Sequence, residues 1–270
     1  MSREADPPRT PCPFVLVTGG KGGVGKSTLA ANLAVVLAQS GVETLLVDLD
    51  LGLANLDVLL DLERRADMED LLAGARTLED CVVRGPAGLS VLPASSGVYE
   101  LAHAGEDRRR ALLSEIARAA AGYEIVVGDT AAGIGEDVLA FAAAADRVLL
   151  VTTPEPAALT DAYGVLKALD AWSRAAGREV ATPELVVNQA AGAEEARGVA
   201  ARLRSAAERF LARSPQLIGW LPRSRTVQVA ACERRPFALA DPASPAARRL
   251  SALAERLAPA SLKAQAGRVR

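Results

Sequence analysis

Aromatic residues, cysteine and histidine are scarce in this chain of 270 residues. Phenylalanine, tryptophan and tyrosine together make up 3% of it, and there are three cysteines and one histidine. Cys12, Cys81 and Cys232 lie far apart without a Cys-x-x-Cys pair, which argues against disulfides and against a metal or iron–sulfur cluster. The single histidine, His103, lies in a polar stretch, so we expect a surface position rather than a catalytic base.

Long hydrophobic runs and a targeting segment are also absent. No apolar run approaches the ~20 residues that a membrane-spanning helix requires, and no basic segment followed by an apolar stretch opens the chain. These absences predict a cytoplasmic protein unless something recruits it to the inner face of the cell membrane. A formal net charge of −2 supplies no overall basic field, which disfavours DNA as a partner.

What the chain does contain is an alternation of apolar strand-like runs and helical segments. Half of its residues are hydrophobic, enough for one large α/β domain, although two smaller domains also fit the length. Buried strands joined by helices imply right-handed crossovers and a parallel sheet. We therefore predict a three-layer, doubly wound, mostly parallel α/β fold. The predicted strands are 14–18, 44–48, 89–93, 123–129, 147–152, 184–188 and 217–222. The predicted divisions are a disordered leader (1–13), a folded domain (14–258) and a basic flexible tail (259–270).

Residues 19–28, with the sequence GGKGGVGKST, organise the rest of the chain. They follow an apolar strand and precede a run with helical spacing, which is the context that a phosphate-binding loop requires. Glycines allow positive φ, so successive N–H groups can point at phosphate oxygens, and the following helix adds its positive dipole end. Lys26 can reach the β- and γ-phosphates, Ser27 can supply a hydroxyl to Mg²⁺, and Thr28 is placed for the α-phosphate. The expected nucleotide contacts in the loop are Gly20, Lys21, Gly22, Gly23, Val24, Gly25, Lys26, Ser27 and Thr28.

Three carboxylates are predicted to lie at the carboxyl ends of buried strands, where ligands bind to parallel sheets. Asp48 and Asp50 follow the second strand, and Asp129 ends a later one. Carboxylates there can hold Mg²⁺-bound water or orient an attacking water. Gly133 can bring a backbone N–H to the γ-phosphate, a contact that exists only while the third phosphate is present. The expected metal ligands are Ser27, Asp48 and Asp129.

Lys21 places a second cation inside the loop. From its position alone it could be a solvated lysine, contact its own nucleotide, or reach a neighbour's phosphates. The run Lys-Gly-Gly-Val-Gly-Lys-Ser at 21–27 resembles the deviant Walker A motif of the MinD/ParA family, a SIMIBI-type branch of P-loop NTPases. The resemblance implies a P-loop ATPase domain that binds ATP with Mg²⁺ and forms an ATP-bridged homodimer. It also implies that Lys21 crosses the dimer interface and acts in trans, as an arginine finger does.

Two further segments are most similar to the FlhG (FleN) branch of this family. They are Asp-Leu-Asp-Leu-Gly-Leu-Ala-Asn-Leu-Asp at 48–57 and Asp-Thr-Ala-Ala-Gly-Ile at 129–134. The similarity implies that Asp50 positions the water and that Asn55 contacts the hydrolysis site, which completes a catalytic set with Lys21 and Lys26. It also implies that Asn188 reads the adenine edge and that the loop from Pro222 walls the base. For Asn188, a turn-forming role is the rival interpretation.

The resemblance implies slow ATP hydrolysis that switches the protein between monomer and dimer, with FlhG-like control of flagellar number or placement as the output. MinD-like division-site selection is the first alternative; a ParA-like DNA-partition ATPase and a nucleotide-loaded scaffold are the others. A protein partner from the flagellar or division machinery is expected. FlhG proteins carry a leading glutamine-containing helix that stimulates a partner GTPase. Residues 1–13 show nothing of that kind, so this activity is not implied.

The last predicted helix, from Pro245 to about Leu257, carries leucines on one stripe. MinD relatives end in an amphipathic helix that lies on anionic lipid once two copies dimerise. The stripe here lacks Phe, Trp and Ile and would pack equally well on the sheet. We favour packing, with peripheral membrane contact as the alternative.

Overall fold

The computed structural model describes residues 9–64, 66–94, 105–211 and 213–259. Its strands are β1 (Phe14–Thr18), β2 (Thr44–Leu49), β3 (Val83–Arg84), β4 (Ser90–Leu92), β5 (Ile125–Thr130), β6 (Arg147–Thr152), β7 (Glu184–Ala190) and β8 (Leu217–Pro222). They form one eight-stranded sheet in the order β3-β4-β2-β5-β1-β6-β7-β8. Each neighbouring pair is parallel except the short antiparallel pair β3–β4. The predicted mostly parallel, doubly wound sheet is confirmed.

Helices cover both faces of this sheet. In chain order they are α1 (Lys26–Gln39), α2 (Leu56–Leu59), α3 (Met68–Leu72), α4 (Leu78–Cys81), α5 (Glu106–Ala119), α6 (Glu136–Ala144), α7 (Pro156–Ala176), α8 (Ala193–Leu211), α9 (Arg225–Cys232), α10 (Phe237–Ala240) and α11 (Pro245–Leu257). Val15 and Val17 of β1 pack in a core with α1 and α11, whereas Phe14 and Leu16 pack in a second core with α5 to α8. Successive side chains of a strand point to opposite faces, which produces the three layers.

Most predicted strands and helices occur where the sequence places them. β1, β6 and β8 have the predicted limits, and the helices expected after the phosphate-binding loop and from Pro245 are present as α1 and α11. No sequence pattern predicted β3, α2, α4, α6, α8, α9 or α10. β3 is only two residues long. The buried side chains of α8 recur at helical spacing, but the helix is built largely from alanine and charged residues.

The apolar stripe of α11 faces the protein core. Leu250, Leu253 and Leu257 are buried in the same cluster as α1, and the Ser244 hydroxyl caps the helix by accepting a hydrogen bond from the Ala247 N–H at 3.2 Å. The favoured interpretation, packing on the sheet, agrees with this arrangement. No helix within the described ranges is long and apolar enough to cross a membrane.

The described helices and strands begin at Phe14 and end at Leu257, and the division into leader, domain and tail stays a prediction. His103, and residues 1–8 and 260–270 of the predicted leader and tail, lie outside the described residues. The carboxyl ends of β2, β5 and β1 are neighbours at the centre of the sheet. The loops that carry the predicted site residues therefore converge at one edge.

Candidate functional site

The phosphate-binding loop connects β1 to α1. Gly23 and Gly25 adopt positive φ values of 80° and 94°, and Gly25 is the N-cap residue of α1. No side chain caps this helix end, and its first turn contains no acidic residue. The N–H groups at the start of α1 therefore remain available to another acceptor, and the positive end of the helix dipole favours an anion there.

Asn188, at the end of β7, braces this loop. Its Nδ2 donates a hydrogen bond to the Val24 carbonyl at 2.8 Å, and its Oδ1 accepts one from the Gln189 N–H at 2.9 Å. A Cβ added to Gly25 would lie 2.3 Å from the same Nδ2, so a larger residue would break the contact. Asn188 thus supports the loop in this structure, and its role toward adenine stays a prediction.

Gly20 is wedged against the start of α7. A Cβ at this position would lie 2.2 Å from the carbonyl oxygen of Asp161 and 2.8 Å from its Cβ. Contacts this short leave room for glycine alone. Asp161 therefore positions the loop through its backbone, a contact for which the sequence carries no signal.

Replacing Gly20 by alanine is expected to lower the free energy of unfolding by about 1–3 kcal/mol, because α7 or the loop has to move. Gly22→Ala is the matched control, since no atom lies within 4 Å of the added Cβ and its φ is not positive. We expect the control to stay within about 0.5 kcal/mol of wild type. Urea unfolding of the nucleotide-free proteins measures both, and equal stabilities would contradict the wedge.

Asp48 and Asp129 lie side by side, since their Cα atoms are register partners in β2 and β5. Asp48 Oδ1 accepts a hydrogen bond from the Asp50 N–H at 3.0 Å, and Oδ2 accepts from Asn55 and Leu56 at 3.2 Å each. These bonds fold the following loop back onto the strand end. Neither oxygen of Asp129 accepts a hydrogen bond from a described residue, although the side chain is completely buried. Such a carboxylate calls for a cation.

Burial dominates the ionisation of both carboxyl groups. It raises the pKa of Asp48 to about 6, against the opposing effect of the three backbone N–H groups. It raises the pKa of Asp129 to about 8, against the opposing effect of the Ser27 hydroxyl. At neutral pH the Asp129 carboxyl is therefore mostly protonated in the nucleotide-free protein, and a divalent cation bound there has to displace the proton.

Lys26 is the buried cation of the loop. Burial lowers the pKa of its ammonium group, and the nearby Asp129 and Asp50 carboxylates oppose this effect. Its side chain makes no hydrogen bond or ion pair with a described residue. A buried ammonium group with unused donors is suited to phosphate oxygens.

The loop and the acidic segment enclose a cavity of about 600 Å³. Asp50, Asn55, Lys26 and Ser27 all line it, and the roles that the resemblance implies for Asp50 and Asn55 in hydrolysis stay predictions. Asp50 Oδ1 accepts a hydrogen bond from the Leu53 N–H at 3.0 Å, which orients the carboxylate. Pro222 ends β8 and does not line this cavity, so its role as a wall for the base stays a prediction.

Gly133 connects the loop after β5 to the phosphate-binding loop. It has a φ of 102°, and its N–H donates a hydrogen bond to the Gly19 carbonyl at 2.9 Å. A contact from this N–H to a γ-phosphate requires it to leave Gly19. The contact with the γ-phosphate stays a prediction. In the structure, the hydrogen bond to the Gly19 carbonyl competes with it.

Lys21 points toward α7 rather than into the cavity. Its Nζ lies 3.2 Å from Glu155 Oε2, and the two side chains are 41% and 58% exposed. An exposed ion pair of this kind contributes at most about 1 kcal/mol, so it holds the lysine only weakly. Glu155 was not among the predicted site residues, although its position just after β6 places it at the same edge of the sheet.

The residues present fit a nucleotide with Mg²⁺. No group of three or more His, Cys, Asp or Glu side chains in the described part of the chain could enclose a metal by itself. Mg²⁺ on a nucleotide needs only one or two protein oxygens besides phosphates and water. The buried, unpartnered Asp129 and the adjacent Ser27 are the oxygens available for it, while Asp48 shapes the loop beside them.

Comparisons with known proteins identify a nucleotide-binding family. The family described as the CobQ/CobB/MinD/ParA nucleotide binding domain matches residues 15–237. The chain is 36% identical over 247 residues to the antiactivator FleN of Pseudomonas aeruginosa, covering 92% of this chain and 86% of FleN.

Two solved structures share the fold along most of both chains. MinD of Pyrococcus horikoshii complexed with Mg-ADP superposes with a TM-score of 0.72 at 25% identity, covering 91% of this chain and 96% of that one. The MinC:MinD cell division complex of Aquifex aeolicus gives 0.72 at 28% identity, covering 91% and 95%. The chain therefore belongs to the MinD/ParA family of P-loop ATPases.

Proposed function

We propose that the protein alternates between a monomer and an ATP-bridged dimer, and that this switch controls the number or placement of flagella. Lys26, Ser27 and the backbone of the phosphate-binding loop hold the triphosphate together with Asp129 and Mg²⁺. Asp50 orients the attacking water, and Lys21 of the second subunit reaches the same phosphates. When Mg²⁺ is bound, it neutralises part of the charge on the phosphates.

The observation that carries the proposed dimer is a set of exposed apolar side chains on the two segments that contribute residues to the cavity. Leu53, Val58 and Ile134 are 76%, 53% and 56% exposed, and they lie on the segments that follow Asp48 and Asp129. Exposed large apolar side chains on segments that follow neighbouring strand ends are typical of an interaction surface. A second copy that faces this one across two nucleotides would cover them.

Replacing Leu53 and Ile134 together by serine is expected to weaken ATP-dependent dimerisation by at least about tenfold, because each buried large side chain contributes about 2 kcal/mol. Phe210→Ser is the control, since Phe210 is equally exposed but lies at the end of α8. Sedimentation velocity with Mg²⁺ and a slowly hydrolysed ATP analogue measures the effect. A dimer of unchanged strength would contradict this interface.

The cellular role is tested by a chromosomal Lys26→Ala substitution in the organism that encodes the protein. We expect an altered number or position of flagella per cell, counted by electron microscopy, with normal cell length. Misplaced septa with normal flagella would favour MinD-like division-site selection instead. The FleN relative supports the first outcome, and the MinD relatives support the second.

Membrane contact through α11 is not supported by the burial of its leucines. A chain shortened to end at Pro259 keeps this helix and is expected not to co-sediment with anionic vesicles, with or without ATP. The full chain is the control for any contribution from 260–270. ATP-dependent binding by the shortened chain would contradict the prediction.

A further inference from the structure

A second cavity, of about 280 Å³, lies at the β8 edge of the sheet. Residues 217–220 of β8 form its floor, and α8 and α11 contribute its walls. Among the described strands β8 pairs only with β7, so its other side has no strand partner. Such an edge is a template for another extended segment unless it is protected.

All charged side chains that line this cavity are positive. Arg197 comes from α8, and Arg249 and Arg256 come from α11, with no carboxylate among the lining residues. Arg256 is already engaged, since its Nη1 donates a hydrogen bond to the Ile218 carbonyl at 2.8 Å. Arg197 and Arg249 make no ion pair with a described residue. The groove therefore presents two arginines whose charge is not neutralised.

Arg249 is held in place by an aromatic ring. Its guanidinium carbon lies 3.9 Å from the centre of the Trp220 ring. Stacking uses the face of the guanidinium group and leaves the N–H donors on its rim for a carboxylate. Because the side chain is already ordered, less entropy is lost when a ligand binds.

We propose that this β8 groove, formed by 217–220 with Arg197, Arg249 and Arg256, binds an acidic, extended segment of a partner protein that adds to the sheet beside β8. Arg256 releases the Ile218 carbonyl when the segment binds, main-chain hydrogen bonds to this side of β8 provide affinity, and carboxylates on the segment reach Arg197 and Arg249. Residues 260–270 are not the occupant, because they carry three cations and no acidic side chain.

An extended peptide fits the groove better than a lipid surface or a duplex. The groove combines a strand edge with cations on two walls, whereas headgroups and phosphates need no strand edge. The simplest rival is that the arginines only protect the edge from unwanted pairing. The proposal does not depend on ATP, so it is tested on the nucleotide-free protein.

The probe is a fluorescein-labelled ten-residue peptide in which valine alternates with aspartate or glutamate, and its control carries asparagine and glutamine instead. We expect the acidic peptide to bind at least about fivefold tighter in fluorescence anisotropy, with affinity falling as salt rises. The double variant Arg197→Gln/Arg249→Gln should bind it at least about fivefold more weakly. Arg202→Gln/Arg209→Gln, which removes the same charge from α8 outside the groove, should bind as wild type does.

Strand addition is distinguished from simple charge attraction by two measurements. Hydrogen exchange should show slower exchange of the 217–221 amides when the acidic peptide is bound, and N-methylation of alternate peptide residues should abolish binding. The proposal would be overturned if the two double variants weakened peptide binding equally, or if the acidic peptide did not bind. It would also be overturned if the bound peptide slowed hydrogen exchange elsewhere and not at 217–221. Tighter, groove-dependent binding of a ten-base-pair DNA or of anionic vesicles would overturn it as well.

Discussion

Replacing Lys21 by alanine is expected to abolish ATP-dependent dimerisation and to lower the hydrolysis rate by about 10³-fold, the lower end of the effect of an arginine finger. Nucleotide affinity should stay near wild type, because Lys26 and the loop backbone hold the phosphates within one subunit. Calorimetry with Mg-ADP measures the affinity, and phosphate release measures the hydrolysis rate. An intact dimer with a slowly hydrolysed ATP analogue would contradict the assignment in trans.

Mixing two inactive variants separates action in trans from action in cis. In a heterodimer of Lys21→Ala and Asp50→Ala, the first subunit keeps its own Asp50 and receives Lys21 from the second. Hydrolysis should therefore return in the mixture, although each variant alone is inactive. If Lys21 acted in cis, neither site would be complete and the mixture would stay inactive.

Glu155→Gln supplies a further control for the Lys21 assignment. Glu155 is the residue that holds Lys21 in the single subunit, at 3.2 Å. Removing the ion pair should leave the hydrolysis rate unchanged or raise it, because Lys21 no longer has to leave Glu155 before it reaches the nucleotide of the second subunit.

Replacing Asp129 by asparagine is expected to lower the hydrolysis rate by at least about 10²-fold and to remove the effect of Mg²⁺ on ATP affinity. The carboxylate is the only one at the site with both oxygens unpartnered in the described structure, and asparagine cannot supply its charge. Titration of ATP with and without Mg²⁺ measures the effect. Asp107→Asn, a substitution of an exposed carboxylate on α5, should behave as wild type does.

The same substitution should change how stability depends on pH. The native pKa of Asp129, about 8, lies above the ordinary value of 3.8. The carboxyl group thus stabilises the nucleotide-free fold fully below about pH 4, and this contribution disappears as pH rises through 8. Asp48 acts in the same direction but only up to about pH 6.

Between pH 6 and 8, wild type should therefore lose about 2 kcal/mol more stability than Asp129→Asn. Urea unfolding of the nucleotide-free proteins at both pH values measures this difference. Parallel pH profiles for the two proteins would contradict it. Adding Mg²⁺ and ATP should remove the difference for wild type, because the cation stabilises the ionised carboxylate.

Much of the candidate site could be predicted from the sequence, because short-range rules apply to it. In a glycine-rich loop between an apolar strand and a helix, the backbone N–H groups are placed to bind phosphate. Acids at the ends of parallel strands meet at one edge, so Asp48, Asp50 and Asp129 could be placed together before the structure was known. The strands themselves follow from apolar runs, whereas the helical spacing of α8 is carried mostly by alanines among charged residues, which a search for large apolar side chains does not detect.

The contacts that give Asp48, Asp129 and Lys21 different roles depend on the tertiary structure. Asp48 and Asp129 look alike in sequence, yet one accepts three backbone hydrogen bonds and the other none, because the loop after β2 folds back over its own strand. The Glu155 partner of Lys21 is 134 residues away in sequence.

The sequence by itself determined the fold class, the phosphate-binding loop and the family, since periodicity and local motif chemistry act within a few residues. Only the tertiary structure decided that the α11 leucines face the core and that Asn188 braces the loop. It also decided that three arginines surround an unpaired strand edge. Each of these depends on how close distant segments come once the sheet has formed, and no local pattern encodes that distance.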